Sequence, residues 1–404
     1  ISRHDGWASE TLSLLSDWLS DQNLSSERAT MIRGFLRIQT RDEAVQKLVA
    51  SLLQHTQLPS RSRLLLLEVI AESGLPTLPA SWEQTLLSSL SHHEPVVRHQ
   101  TVRTVAGFDT DIFDDQLLRL AHDDQQPVDL RIDALAAAAI RRSQTSPDEL
   151  AFLLDQISDE ATPLRKLAAA TTVVQLPLNE TQRDQVARQL AKADPLTLGI
   201  LLQDFTRDMN SGLAQTVLNS LKSLPPEQRL PKAELLAFLE STPEPLKRDV
   251  QRFVASRLEK SNEDMLQKRL TSLASGEASR GREVFFGKAA SCSRCHTIAG
   301  QGGKVGPDLT KIGAIRKPRD LLEAIIFPSA SFARGYRSWT LATDRGRVHT
   351  GLITRESTDS LMLRKSDLSE IRILRDSIEE MRESSTSVMP DGLDHRLSTQ
   401  DLSH

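Results

Sequence analysis

Residues 292–296 read Cys-Ser-Arg-Cys-His, and Cys292 and Cys295 are the only two cysteines in the 404 residues. Two thiols three positions apart, followed at once by an imidazole, form the C-x-x-C-H attachment pattern of c-type haem. In that chemistry each thiol adds to one vinyl group, giving two thioethers, and His296 is held beneath the iron as its proximal ligand. Two other chemistries use similar residues. A redox dithiol is also C-x-x-C, but it follows a strand of a βαβ pattern, and none is visible upstream. A structural zinc site needs four ligands, and the chain has no second cysteine pair. The expected cofactor is one covalent haem c.

A six-coordinate iron needs a second axial ligand. Met389 lies in Ser387-Val-Met-Pro-Asp-Gly-Leu393. The proline after it disfavours helix at Met389, so the thioether stands on extended backbone and can face the metal. Met/His ligation raises the reduction potential. The other candidates stay open: Met362 in a strand-like run, Met381 as a packing residue, and His349 or His395 for bis-histidine ligation.

Several elements must position these groups. Gly281–Cys292 has the spacing of a short amphipathic helix running into the motif. Thr297–Leu309 is a Gly-rich loop closed by Gly306-Pro307, and glycine lets backbone pass close to a flat cofactor. His296 and Met389 are 93 residues apart, which calls for an insert. After a helical stretch at Pro318–Ile326, the apolar period falls to two. Trp339 and Leu341 mark one strand, Asp344–Gly346 a turn, Val348 to Thr354 a second strand, Leu361 and Leu363 a third, and Ile371 and Ile373 a fourth. This predicts a small antiparallel β insert over about 335–376.

The residues Gly281, Phe285, Cys292, Cys295, His296, Gly303, Val305-Gly306-Pro307-Asp308-Leu309 and Ser387-x-Met389-Pro390-x-Gly392-Leu393 carry a resemblance. Residues 276–404 resemble the Pirellula/Verrucomicrobium-type haem-binding domain of planctomycete and verrucomicrobial proteins. That resemblance implies a class I-like cytochrome c domain, in which the carbonyl of Pro307 accepts the Nδ1 proton of His296. It also implies a HEAT-like helical region upstream, and a link to a dehydrogenase domain or partner. In the family the helix opened by Ser398–Asp401 continues further, so here it reads as truncated at His404.

Residues 1–260 are rich in Leu, Ala, Ser and Gln. Prolines 59, 95, 127 and 163 each precede a basic residue and an apolar helix, at intervals of 36, 32 and 36 residues. A proline-started helix repeated at such a period predicts a HEAT-like α-solenoid. A non-repeating bundle is the alternative. The expected organisation is therefore mainly α: the solenoid over 1–260, a linker at 261–275, and the haem domain over 276–404.

The net charge is −4. From Gly276 onward there are 20 Lys and Arg against 17 Asp and Glu, so the haem domain is mildly basic. No basic run interleaved with aromatics points to nucleic acid. No apolar stretch approaches 18 residues, so no membrane span is expected. The chain begins at Ile1 without a signal segment and reads as a piece of a longer protein. Covalent haem attachment implies a periplasmic or otherwise exported location. The expected role is electron transfer rather than catalysis. The alternatives are a peroxidase-like haem enzyme with an open distal site, and a scaffold acting through the helical repeats.

Overall fold

A computed structural model of the chain describes residues 8–404 apart from 74, 76, 140, 159, 207–208, 227, 229, 259–261, 345–347, 367, 369 and 385. Positions 345 and 346 of the expected turn therefore lie outside the described residues. The described chain is mainly helical with a small sheet, and it divides into two compact units.

The first unit comprises Ile1–Arg141, Thr354–Met362 and Glu370–Ile378. Its helices are α1 (Ala8–Ser20), α2 (Ser26–Ile38), α3 (Glu43–Gln54), α4 (Ser60–Ala71), α5 (Ala80–Leu90), α6 (Pro95–Val105), α7 (Asp114–His122) and α8 (Val128–Ala139). Their starts are chemically marked. Asp42 caps α3 by accepting from the N–H groups of Ala44 and Val45. Pro95 opens α6, where its missing N–H costs nothing. Even-numbered helices pack in sequence, α2 on α4, α4 on α6 and α6 on α8, and odd-numbered ones follow the same rule from α1 to α7. Leu65, Leu66, Leu67, Val69 and Ile70 of α4 are all buried between these neighbours.

Hydrogen bonds tie successive helix pairs at a recurring separation. Trp82 donates to the Gln46 carbonyl at 3.0 Å, 36 residues away. Thr104 donates to the Leu67 carbonyl at 3.1 Å over 37 residues. His99 meets Asp133 at 2.7 Å over 34. The strand segments of this unit are held by Arg355 to Glu72, Arg41 to Asp359 and Arg372 to the Leu75 carbonyl.

The second unit comprises Arg142–Ile353, Leu363–Ser369 and Glu379–His404. It continues with α9 (Pro147–Asp155), α10 (Pro163–Gln175), α11 (Glu180–Gln189), α12 (Pro195–Leu202), α13 (Ser211–Ser223), α14 (Lys232–Ser241), α15 (Glu244–Leu258), α16 (Asn262–Ser272), α17 (Ala278–Phe286), α18 (Ile312–Ile315), α19 (Pro318–Ile326) and α20 (Thr399–Ser403). The same packing rule runs through α9, α11, α13 and α15, and through α10, α12 and α14. Gln182 to the Thr145 carbonyl, Gln228 to Ala193 and Ser241 to Phe205 are its rungs, over 37, 35 and 36 residues. Lys166 of α10 is fully buried and meets Asp194 at 2.6 Å, while Asp194 also caps α12 through Thr197.

Most of the stretch read as a linker is helix. In α16, Leu266 is buried in a cluster with Leu322, Ile326 and Phe327 of the α19 region. The last turn, α20, starts with the capping box Ser398/Asp401, packs on α17, and places Leu402 against that same cluster.

The strands are β1 (Thr297–Ile298), β2 (Gln301–Gly302), β3 (Trp339–Thr343), β4 (Val348–Glu356), β5 (Ser360–Arg364), β6 (Glu370–Leu374) and β7 (Ile378–Glu383). The larger sheet has the order β6-β5-β4-β3-β7, and β3 pairs antiparallel with β4, Trp339 opposite Gly351. It has five strands where the sequence predicts four. The fifth, β7, reads Ile-Glu-Glu-Met-Arg-Glu with nearly every residue exposed, so it lacks the apolar alternation that marks a strand. It is a charged edge, which resists pairing with another chain. Met381, expected to pack, stands exposed on it. No helix among the described residues is long and apolar enough to cross a membrane.

Candidate functional site

The Cys-Ser-Arg-Cys-His motif follows α17 and is wound into one tight turn. Cys292–Arg294 form a 3₁₀ turn, and the Cys295 and His296 amides both donate to the Cys292 carbonyl, at 3.1 and 3.0 Å. The turn thus brings the two half-buried cysteines and the imidazole together. Burial pushes both thiols above their ordinary range; at Cys295 the Cys292 sulfur adds to this and Arg294 opposes it. Both thiols are therefore protonated at neutral pH and are weak nucleophiles on their own.

The loop after the motif is laced back onto it. β1 and β2 form a two-residue hairpin with positive φ at Ala299 and Gly300. Gly303 donates to the Ser293 carbonyl at 2.8 Å, Val305 and Gly306 both donate to Cys295, at 3.0 and 2.8 Å, and Leu309 donates to Thr297 at 2.8 Å. These bonds bring Gly306-Pro307 under the imidazole. His296 Nδ1 lies 2.9 Å from the Pro307 carbonyl oxygen. A carbonyl can only accept, so Nδ1 carries the proton and Nε2 keeps its lone pair. Burial holds the imidazole below its ordinary pKa, with the Pro307 carbonyl pulling the other way. Gly306 lies against the ring: a Cβ there would be 2.5 Å from Cε1 and 2.7 Å from Nδ1. The ring is thus fixed in tautomer by one neighbour and in position by the other, as metal-binding histidines commonly are.

Met389 is placed by a different set of contacts. Its N–H donates to Ser387 Oγ at 3.1 Å, and the Ser387 N–H donates to Ser329 Oγ at 3.0 Å. Its side chain packs against Leu167, Leu196 and Leu393, together with Leu164 and Ile200. Of the alternative ligands, His349 lies in β4 opposite Leu341, His395 stands 3.8 Å from Asp394, and Met362 is in β5.

Sequence reasoning passed over the Gly306–imidazole contact and the α10–α12 seat of Met389. It also passed over His92-His93-Glu94, whose ligand atoms lie within 4.8 Å of one another. That trio sits at the start of α6, where the helix end is electropositive. Arg98 donates to the carbonyls of both histidines, and burial and then Arg63 depress the His92 pKa. These surroundings oppose a cation. Comparison with known protein families and with curated proteins found no match.

Proposed function

We propose that this chain is an electron-transfer protein, with one haem c joined to Cys292 and Cys295 and axially held by His296 and Met389. The observation that carries this reading is the single hydrogen bond from His296 Nδ1–H to the Pro307 carbonyl. It leaves the Nε2 lone pair free to bind a metal, beside two thiols spaced for porphyrin attachment. When bound, a c-type haem supplies a one-electron couple. The protein's own part is to anchor through two sulfurs, to orient the imidazole through Pro307 and Gly306, and to keep water from the ring by half-burying it. Residues 276–404 are then a class I-like cytochrome c domain of the Pirellula/Verrucomicrobium type. The recurring 34–37-residue rungs support a HEAT-like solenoid over 1–260, offering surface to a redox partner or a dehydrogenase domain. Covalent attachment places the protein in the periplasm or beyond it.

A second reading has catalytic haem with an open distal position. One observation favours it: the Met389 side chain packs among Leu167, Leu196 and Leu393. The test is a mass spectrum and a visible spectrum of protein produced with a haem-maturation system. Denatured polypeptide heavier by one porphyrin, with a thioether–iron charge-transfer band in the oxidised state, fits electron transfer. Added mass without that band fits the open site, and no added mass sinks both. Cys292→Ser leaves at most one thioether, so covalent haem yield should fall; equal yield in variant and parent contradicts the attachment.

A further inference from the structure

The turn joining β4 to β5, residues 357–360, is closed on itself and ringed by guanidinium groups. The Ser357 N–H donates to the Ser360 carbonyl at 2.9 Å, and the two serine hydroxyls lie 3.0 Å apart. Three arginines reach this turn. Arg41 pairs with the Asp359 carboxylate. Arg375 donates from Nε to the Ser357 carbonyl at 2.9 Å and from Nη2 to Glu356 at 2.8 Å, and its backbone N–H donates to the Asp359 carbonyl at 2.9 Å. Arg372 donates from Nε to Ser360 Oγ at 3.1 Å and from Nη1 to the Leu75 carbonyl. All of these residues belong to the first unit.

The charges round the turn do not balance. Arg41 and Arg375 each have a carboxylate, and so does Arg355 of β4, on Glu72. Arg372 has none among the described residues, because both of its acceptors are neutral. Its Nη2 is shut off from water and has no acceptor among the described residues. Burial, and then the charge of Arg41, lower its pKa to about 10, so it stays charged at neutral pH. A desolvated cation is ordinarily paired, since burying it without a counter-charge is costly. What this turn lacks is one anion.

We propose that this turn is a binding site for a small tetrahedral oxyanion of the inorganic phosphate class, held by Arg372 and Arg41 beside the hydroxyls of Ser357 and Ser360. The donors favour that class. A guanidinium carries five N–H donors in a planar fork that matches phosphate oxygens. Asp359 takes a single bond from Arg41, through Nη2, and Nη2 of Arg372 is unclaimed. A carboxylate has two oxygens and satisfies one fork, whereas a phosphate has enough oxygens for two guanidiniums and a hydroxyl at once. The Arg41 side chain is 70% exposed, so it forms the open flank of the site, and Arg372 forms the buried wall. The ion's binding does not depend on what Cys292, Cys295 and His296 hold.

The experiment is calorimetric titration of the full chain with inorganic phosphate at neutral pH, with ionic strength held constant by chloride. One ion should bind per chain with a Kd below about 1 mM. Arg372→Gln should weaken binding by about tenfold or more. Arg41→Gln, at an exposed position that the fold does not need, should weaken it by at least about threefold. Arg33→Gln breaks the pair with Glu68 elsewhere in the same unit and should change it by less than about twofold. Sulfate should displace phosphate, and acetate at the same concentration should not. Arg372→Met removes the stranded charge, so it should melt at or above the parent in chloride and lose the response to phosphate, which separates loss of the site from loss of the fold. Binding weaker than about 1 mM would be an adventitious ion only and overturns the proposal. Equal losses in Arg33→Gln and Arg372→Gln also overturn it, as does displacement by acetate as readily as by sulfate, or an Arg41→Gln variant that binds like the parent.

Discussion

The tightest constraint on the imidazole is Gly306, and Gly306→Ala tests it. The added methyl group would lie 2.5 Å from Cε1 of His296. Ordinary carbon–carbon contact is about 3.5–4.0 Å, so ring and loop must separate by roughly 1 Å. Forcing a methyl into a packed site typically costs about 1–3 kcal/mol. The move also lengthens the 2.9 Å bond from Nδ1–H to Pro307, a loss of about 0.5–1.5 kcal/mol. Together these destabilise the loop by about 2–4 kcal/mol if it opens as a unit. At tenfold per 1.4 kcal/mol, amides held by the lacing should exchange tens to hundreds of times faster. The assay is amide hydrogen exchange of the haem-free chain at Gly303, Val305, Gly306 and Leu309, whose N–H groups make that lacing. The His296 pKa should fall further as well, because the Pro307 carbonyl is what raises it. Exchange within about threefold of the parent, with the imidazole titration unmoved, would refute the reasoning.

Three further outcomes are expected. Met389→Ala should lower the reduction potential and abolish the thioether–iron band; a voltammogram and spectrum identical to the parent would assign the sixth position elsewhere. Asp133→Asn should cost about 1.5–3 kcal/mol at pH 7, because Asp133 accepts from His99 and from Arg103 at 3.1 Å. Burial alone would raise the Asp133 pKa, but these partners outweigh it and hold it below 3.8. Its contribution is therefore fully present above about pH 3.8 and is lost as pH falls through the folded value. Denaturation of parent and variant should converge in acid, and a gap as wide at pH 2 as at pH 7 would contradict the assignment. Lys166→Ala should destabilise by about 1.5–3 kcal/mol by removing the buried ammonium from the half-buried Asp194 carboxylate, whereas Lys166→Met/Asp194→Asn should recover most of it. Equal losses in single and double variants would show the ion pair to be irrelevant.

How much could be read in advance differs from element to element. The helix Pro318–Ile326 was legible to the residue, because proline opens it and its apolar positions recur at helical spacing. The grouping of two thiols and an imidazole on one turn was legible in five consecutive residues. Its geometry was not: the Gly306 contact depends on four backbone hydrogen bonds that no spacing encodes. β7 was hidden because an exposed edge strand has no buried face to impose a period. In α16, Met265, Leu266 and Leu270, with Leu273 just beyond its end, carried a usable helical signal, but its polar surroundings read as a connection. The buried Lys166 was hidden for the opposite reason, since a lysine next to Arg165 at a helix start looks like solvent-facing sequence until its partner, 28 residues on, is known.

The evenly spaced rungs between helix pairs have a mechanical consequence. Each joins positions 34–37 residues apart, and each ties only adjacent pairs. Under tension the rungs of either unit would give way one step at a time. Every parted step pays out roughly 120 Å of extended chain. Within each unit the packed helices would then part in even increments rather than all at once.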